Sequence, residues 1–291
     1  MQVFSLKSMM SGLNNQRMGL VGLIAYAARQ RAKAVLPSEV VDFSPGKDRK
    51  PSDYGRLNFQ DVFDQDILLN SAASDFITTD EPTDVLGLDK CFAEGAAILT
   101  EARTQDTPVH KLARQTLLAL EPSADLRQQA NEIANWLPNG TSALQLRIEH
   151  DWQEYLIRKF GSTEVENGKE FLSVSAAKIA KKIALSDERP DTIWGCCDEG
   201  DLTVSLDDIR GDFDQYGLKI LFKTDLPEAL KYPEKRLRRA FLEFAVCRNL
   251  SGYIGLSRSS FSQVLWLDNI WRERESHHFV YNTPAAAITK R

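Results

Sequence analysis

The feature that most constrains the fold is a regular alternation of strand and helix patterns after the turn signal Pro138-Asn139-Gly140. The predicted strands are 143–149, 192–197, 218–222 and 253–256, and the predicted helices are 174–185, 205–215, 226–248 and 260–274. Strands that alternate with helices in this way run parallel, and the helices cover both faces of the sheet. The second half of the chain is therefore predicted to be an α/β domain.

The first half opens with a similar pattern, namely a strand at 2–6, a helix at 16–31 and a strand at 34–36. Residues 42–110 carry 14 acidic and 6 basic side chains and are interrupted by Pro and Gly. We interpret them as a variable insertion rather than as core. Helices are predicted again at 111–120 and 123–136. The chain is thus predicted to form two Rossmann-like domains, 1–140 and 141–291.

Composition narrows the class of protein. The 291 residues are 43% hydrophobic and 26% charged, with a net charge of −5, which is typical of a soluble globular protein. The acidic balance argues against general nucleic-acid binding. The four cysteines show no zinc-site spacing and no secreted disulfide pattern, which favours a cytoplasmic protein. The apolar run 18–28 is too short to span a membrane and is predicted to be a buried helix, with a secretory signal as the alternative.

Three loops at strand-to-helix junctions carry residues suited to binding an anion. The first contains Gly12, Asn14 and Asn15. A small residue lets a ligand approach the backbone, and a helix N-terminus offers free N–H groups and positive potential. Asparagine side chains can donate to a phosphate or to a sugar hydroxyl. The alternative is an ordinary capped helix start.

The second loop follows the predicted strand 143–149. Arg147 alternates with the apolar residues Leu146 and Ile148, so its side chain faces the other way. A guanidinium at the carboxyl end of a strand can bind a diphosphate through two parallel hydrogen bonds. The alternative is an ordinary ion pair at a strand end. Glu149 and His150 are candidate general bases.

The third loop, residues 257–262, places successive hydroxyls at the start of a helix. Such hydroxyls and N–H groups can bind an anion, and the alternative is again helix capping. All three loops occupy the same structural position. Together they fit a nucleotide-sugar site better than three independent caps.

These segments resemble the GDP-fucose O-fucosyltransferase superfamily. The matching stretches read GLNNQ at 12–16, AVLP at 34–37, LRIEHDW at 146–152 and GYIGLSRSSFS at 252–262. The resemblance implies a GT-B-like fold whose two Rossmann-like domains face a cleft, with the acceptor on the side of 1–140 and the donor on the side of 141–291. It implies inverting, metal-independent transfer of fucose from GDP-fucose to an acceptor hydroxyl.

By position in the motifs, the resemblance implies that Arg147 is the catalytic residue and stabilises the departing diphosphate. Asp151 would hold the nucleotide or orient that arginine. The other implied substrate-binding positions are Gly12, Asn14, Asn15, Gln145, Asp198, Ser259, Ser260 and Phe261. Gln145 stands where the family has His, and Cys196-Cys197-Asp198 stands where the family has a Thr-Asp or Ser-Asp pair.

No metal and no cofactor besides the donor are expected. The tripeptides 64–66 and 212–214 match the DxD pattern of metal-dependent glycosyltransferases, but such matches arise by chance in acidic chains. The alternatives are transfer from another nucleotide sugar, such as GDP-mannose, and a non-catalytic nucleotide-sugar-binding protein. The acceptor is a protein, a glycan or a lipid-linked sugar. Nucleic acid and stable membrane insertion are not expected.

Overall fold

The computed structural model describes residues 1–42, 54–164, 166–167 and 170–291. Contacts divide the chain into two compact units. Unit 1 comprises Met1–Gln128, Pro233–Leu242 and Ile270–Arg272, and unit 2 comprises Gln129–Tyr232, Glu243–Asn269 and Glu273–Arg291. The predicted acceptor and donor roles of 1–140 and 141–291 stay predictions.

The strands and helices alternate along much of the described chain, as the sequence predicts. The strands are β1 (Val3–Leu6), β2 (Lys33–Ala34), β3 (Glu39–Asp42), β4 (Gly55–Asn58), β5 (Asp84–Leu86), β6 (Ser142–Gln145), β7 (Glu166–Asn167), β8 (Glu170–Phe171), β9 (Thr192–Cys196), β10 (Lys219–Leu221), β11 (Gly252–Gly255), β12 (His277–Val280) and β13 (Thr289–Lys290). The helices are α1 (Leu13–Arg29), α2 (Gln65–Leu69), α3 (Leu88–Glu101), α4 (Pro108–Ala119), α5 (Ala124–Trp136), α6 (His150–Phe160), α7 (Ala176–Ala184), α8 (Leu206–Asp214), α9 (Arg236–Asn249) and α10 (Ser260–Trp271). The predicted α/β class is confirmed.

The sheet of unit 1 has three parallel strands in the order β2-β1-β5. The strand order reverses at β1, because the chain leaves it first toward β2 and later returns on its other side as β5. In open α/β sheets, ligands bind beyond the carboxyl ends of the strands at such a reversal. The loop between β1 and α1 therefore lies where a ligand site is expected.

Helix α1 is the buried helix that the apolar run predicts, although it begins at Leu13 rather than at Gln16. It packs against α3 at a close approach of the two backbones. A Cβ on Gly22 would overlap the carbonyl oxygen of Cys91, and a Cβ on Gly95 would overlap that of Met18. Only glycine leaves room for this contact. No described helix is both long and apolar enough to cross a membrane.

The interpretation of 42–110 as an insertion is wrong for residues 59–73, where Phe63 and Leu68 are buried, and for residues 84–101. Residues 43–53 lie outside the described residues. Strand β5 pairs with β1, and α3 buries Ile98 and Leu99 completely. The apolar positions of α3 recur at helical spacing on its buried face, and charged residues occupy its exposed face. The overall polarity of the segment hid this narrow buried stripe.

The sheet of unit 2 has six strands in the order β10-β9-β6-β11-β12-β13. All neighbours are parallel except β13, which runs antiparallel to β12 along the edge of the sheet. Apolar side chains from strands and helices form one buried cluster that includes Leu144, Ile183, Ile193, Phe213 and Ile254. The strand order reverses between β6 and β11, and this reversal positions the loops after both strands.

In unit 2 the structure corrects one strand boundary and adds two elements that were not predicted. Strand β6 ends at Gln145, so Arg147 and Glu149 lie in the loop after it rather than in a strand running to 149. Helix α6 and strand β12 were not predicted, because α6 buries only Leu156 and β12 begins with two histidines. Such short or shallow apolar patterns give little periodicity to detect.

Candidate functional site

The side chain of Arg147 lies at the carboxyl end of β6 and is 23% exposed. Its Nη2 atom lies 3.2 Å from Oδ1 of Asp151, and its Nη1 atom lies 3.4 Å from Oε2 of Glu149. The guanidinium carbon lies 5.0 Å from the centroid of the Trp152 ring. Two carboxylates and an aromatic ring therefore hold a partly exposed arginine at the point where the strand order reverses. The resemblance left open whether Asp151 holds the nucleotide or orients Arg147. Asp151 pairs with Arg147 here, and the roles of both residues toward a ligand stay predictions.

Glu149 is buried beside this arginine. Its Oε1 atom accepts a hydrogen bond of 3.3 Å from the backbone N–H of Asp198, which follows β9. Its Oε2 atom accepts no hydrogen bond from the part of the chain that the structure describes. Burial raises the pKa of Glu149 to about 7, and the positive charge of Arg147 opposes that shift. The neighbouring His150 is exposed at the first residue of α6.

Two aromatic residues that were not predicted as site residues support the loop of Arg147. Trp152 donates a hydrogen bond of 2.8 Å from Nε1 to the carbonyl of Leu172 and stacks on Tyr155, with 5.2 Å between ring centroids. The hydroxyl of Tyr281 faces the backbone N–H of Arg147, and burial raises its pKa well above the usual range. Tyr281 directly follows β12, so predicting that strand would have indicated it.

Gln145, predicted as a donor contact, is nearly buried within unit 2. The hydroxyls of Ser262 and Tyr253 face its Oε1 atom at 2.8 and 3.1 Å. The Oγ atom of Ser262 also accepts a hydrogen bond of 3.2 Å from the backbone N–H of Leu256. This network joins the end of β6 to the loop after β11. The carbonyl oxygen of Gln145 is thus used inside the unit, and its predicted contact with a donor stays a prediction.

The third predicted loop is the connection between β11 and α10. The backbone N–H of Ser259 donates to the carbonyl of Leu256 at 3.2 Å. The N–H groups of Ser260 and Phe261 lie in the first turn of α10, where an α-helix supplies no acceptor. The Phe261 ring packs against the rings of Phe244 and Tyr253, at 5.6 and 6.2 Å between centroids. If Phe261 contacts a ligand as predicted, its backbone is therefore the better-placed part.

Asn282 fixes the start of this same connection and was missed in the sequence. It is fully buried. Its Oδ1 atom accepts a hydrogen bond from the backbone N–H of Ser257 at 3.0 Å, and its Nδ2 atom donates to the Ser257 hydroxyl at 2.9 Å. A polar residue two positions beyond a short strand gives no sequence signal of this pairing.

In unit 1, the first predicted loop precedes α1 at the carboxyl end of β1. Gly12 is the N-cap residue, and a Cβ built on it would meet nothing within 4 Å, so the space beside this backbone is open. Asn14 is buried, and its Oδ1 atom accepts a hydrogen bond of 3.3 Å from Arg17. Asn15 donates to the Ser11 hydroxyl at 3.0 Å. Asn15 thus ties the loop to α1, while the bond of Asn14 lies within the helix, and the contact of both with a donor stays a prediction.

The two DxD tripeptides have structural surroundings of their own. Asp64 caps α2 by accepting the N–H of Ile67 at 3.1 Å, and it pairs with Arg127 at 2.8 Å. The tripeptide 212–214 lies within α8, with Phe213 fully buried between the two aspartates. Within the described ranges, no cluster of three or more His, Cys, Asp or Glu side chains is arranged to hold a metal ion.

Comparisons with known proteins identify which solved structures share this fold. No protein-family model matches the chain, and no curated protein matches it in sequence. Its structure matches the crystal structure of POFUT1 in complex with GDP with a TM-score of 0.58 and 12% identity, over 95% of this chain and 97% of that chain. The chain has the fold of POFUT1. The complex of POFUT1 with GDP-fucose gives a TM-score of 0.57 and 12% identity, over 95% and 96% of the two chains.

The resemblance stated from these sequence motifs is therefore confirmed at the level of the fold. A weaker likeness extends to the fucosyltransferase NodZ from Bradyrhizobium, with a TM-score of 0.49 and 13% identity over 100% of this chain and 99% of that chain.

Proposed function

We propose that this protein is a glycosyltransferase that transfers fucose from GDP-fucose to an acceptor hydroxyl. The observation that carries the proposal is the position of Arg147 in the fold of POFUT1, a protein crystallised with GDP and GDP-fucose. A partly exposed arginine stands at the reversal of strand order, where such sheets bind ligands. Its guanidinium can bind a diphosphate in bidentate geometry.

The proposed chemistry needs charge stabilisation more than it needs a strong nucleophile. As the bond between fucose and the diphosphate breaks, negative charge builds on the GDP oxygens. Arg147 and the backbone N–H groups in the first turn of α10 would stabilise this charge in the transition state. Asp151 would hold the guanidinium in place. The proposal includes inversion at the anomeric carbon, independence of metal, a GT-B arrangement and a cytoplasmic location.

A donor screen tests the proposal. Thermal unfolding is measured with GDP, GDP-fucose, GDP-mannose, UDP-sugars and dTDP-sugars in the presence of EDTA. GDP and GDP-fucose are expected to raise the melting temperature, because a ligand that binds only the folded state stabilises it. If neither produces a shift, the donor assignment is wrong. A shift produced only by another nucleotide sugar would identify that sugar as the donor class.

A turnover measurement separates the enzyme from a binding protein. Slow hydrolysis of GDP-fucose is followed by NMR, and the first sugar released is expected to have the anomeric configuration opposite to that of the donor. The second candidate is a non-catalytic nucleotide-sugar-binding protein. It is favoured by Gln145, which stands where the family has His and whose carbonyl oxygen faces two buried hydroxyls. Tight binding of GDP-fucose with no turnover, with any acceptor tried, would support that candidate instead.

A further inference from the structure

The surroundings of Glu149 suggest a role that sequence reasoning did not assign. The side chain is only 4% exposed, although it belongs to the same loop as the partly exposed Arg147. One of its oxygens accepts the N–H of Asp198, and the other faces Arg147 Nη1 at 3.4 Å without a hydrogen bond from the described residues. A buried carboxylate held this loosely can take up a proton at little structural cost, because the oxygen facing Arg147 has no hydrogen bond to lose.

The groups around Glu149 come from four parts of the sheet edge. Arg147 and Asp151 belong to its own loop and helix. Cys197 and Asp198 follow β9, Asp201 accepts the backbone N–H of Asp151 at 3.0 Å, and Tyr281 follows β12. Burial raises the pKa of Cys197 and that of Tyr281 well above their usual ranges, so both stay neutral around pH 7. Arg147 is the nearby positive charge, and two carboxylates share it.

We propose that Glu149 takes up one proton when a nucleoside diphosphate binds at Arg147, so that it acts as a proton-linked positioning residue for that arginine. The inference rests on the proposed function, since it needs a diphosphate at Arg147. The proton comes from the buffer and ends on the Oε2 atom. Neutral Glu149 no longer competes with the diphosphate for the guanidinium, and it no longer repels the diphosphate.

The direction of the effect follows from linkage. A bound diphosphate adds negative charge near Glu149 and therefore raises its pKa above the value of about 7 in the free protein. Between the free and the bound value, binding is accompanied by proton uptake, and the affinity falls as the pH rises. The slope is at most about tenfold in Kd per pH unit, which corresponds to one proton.

Calorimetry of the wild-type protein with GDP tests this directly. Binding is measured from pH 7.0 to 8.5, where the terminal phosphate, with a pKa of about 6, is already ionised. At each pH, two buffers of different ionisation enthalpy give the number of protons taken up. We expect uptake of up to one proton across this range and a Kd that weakens by at most about tenfold per pH unit.

The variant Glu149→Gln tests whether Glu149 is the group that takes up the proton. Glutamine keeps an oxygen for the N–H of Asp198 but cannot titrate, so the variant is expected to show no uptake and a Kd independent of pH. At pH 8.5 it should bind GDP more tightly than the wild type, which loss of a merely structural residue would not produce. His150→Gln is the matched control, because His150 is the ionisable side chain next to Glu149 in the sequence, and it should keep the uptake. Carbon-13 NMR of glutamate carboxyls assigns the titration in the wild type if Glu149→Gln does not fold.

The outcomes separate the two proposals. GDP binding without proton uptake, or uptake that persists in Glu149→Gln, overturns the role of Glu149 and leaves the proposed function standing. Uptake that disappears in His150→Gln also overturns it. If wild-type protein binds neither GDP nor GDP-fucose at any pH, the proposed function and this inference fall together.

Discussion

At the scale of single residues, the carboxylates around Arg147 both orient its guanidinium and compete with a bound anion for it. Two carboxylates lie within 3.4 Å of one guanidinium, and the Trp152 ring faces it. The carboxylates fix the orientation of the guanidinium, but each also weakens the attraction of a diphosphate. How well an anion binds then depends on the two parallel hydrogen bonds that the planar guanidinium can donate, and not on its positive charge alone.

Arg147→Lys tests this directly. Lysine keeps the positive charge but cannot form two parallel hydrogen bonds to a diphosphate. We expect the rate of GDP-fucose hydrolysis or transfer to fall at least about 100-fold, the order of loss seen when one transition-state donor is removed. The rate is measured by NMR, and circular dichroism checks the fold.

Arg158→Lys is the matched control, because Arg158 is exposed on α6, the helix that follows the loop of Arg147. This variant is expected to keep the wild-type rate. An unchanged rate in Arg147→Lys would show that two parallel hydrogen bonds from the guanidinium are not used in the reaction.

How well single residues could be predicted depends on where their partners lie. Arg147 and Asp151 are four positions apart within one motif, so the family resemblance could suggest that they interact. Ser262 and Gln145 lie 117 positions apart, and the bond between them exists only because β6 and β11 are neighbours in the sheet. Nothing in either local sequence specifies that bond.

At the scale of elements, the packing of α1 on α3 depends on two glycines facing each other's helix backbone. An added methyl group at either position would meet a carbonyl that cannot move without breaking a helical hydrogen bond. Such overpacking costs typically about 1–3 kcal/mol, and more where the backbone has to shift.

Gly22→Ala and Gly95→Ala are each expected to lower the free energy of unfolding by about 3 kcal/mol or more, as measured by urea denaturation. Gly211→Ala is the matched control. Gly211 also lies within a helix, but a Cβ there meets nothing within 4 Å. This control should stabilise the protein by about 0.5–1 kcal/mol, because alanine restricts the unfolded chain. Wild-type stability in Gly22→Ala and Gly95→Ala would contradict the close approach of the two helices.

The elements themselves were predictable where their apolar pattern is long, and not where it is short. The strand at 192–197 and the helix at 205–215 were predicted within one residue of their observed starts. Strand β12 begins with two histidines, and strand β6 is followed by an alternation that imitates its continuation. In both cases neighbouring strands in the sheet, rather than local sequence, set the boundary.

At the scale of the whole molecule, unit 1 is assembled from segments far apart in the chain. The stretch Pro233–Leu242 belongs to it by contact. Within this stretch, the ring of Phe241 packs against that of Phe63 at 5.2 Å between centroids, and the guanidinium carbon of Arg17 lies 5.3 Å from its centroid. The single division of the sequence near Asn139 did not indicate that a later segment returns to this core, because no local pattern encodes it.

A fragment ending at residue 140 is therefore expected not to fold as a stable domain, since it lacks the aromatic ring that covers Phe63 and the buried Arg17. Loss of a buried Phe side chain alone typically costs about 3–5 kcal/mol, a large part of the stability of a domain. Thermal unfolding of the fragment, followed by near-UV circular dichroism, should show no cooperative transition, with the full chain as control. A sharp transition in the fragment would contradict the return of this segment to the core.

The antiparallel strand β13 has a consequence for how this protein behaves at high concentration. It consists of only two residues, Thr289 and Lys290, and both are exposed at the edge of the six-stranded sheet. A short edge strand with a lysine offers another chain few backbone groups to pair with and places a charge beside them. The parallel strands behind it are thereby shielded from extending into a neighbouring copy, so the side of the sheet that β13 covers resists aggregation by strand addition.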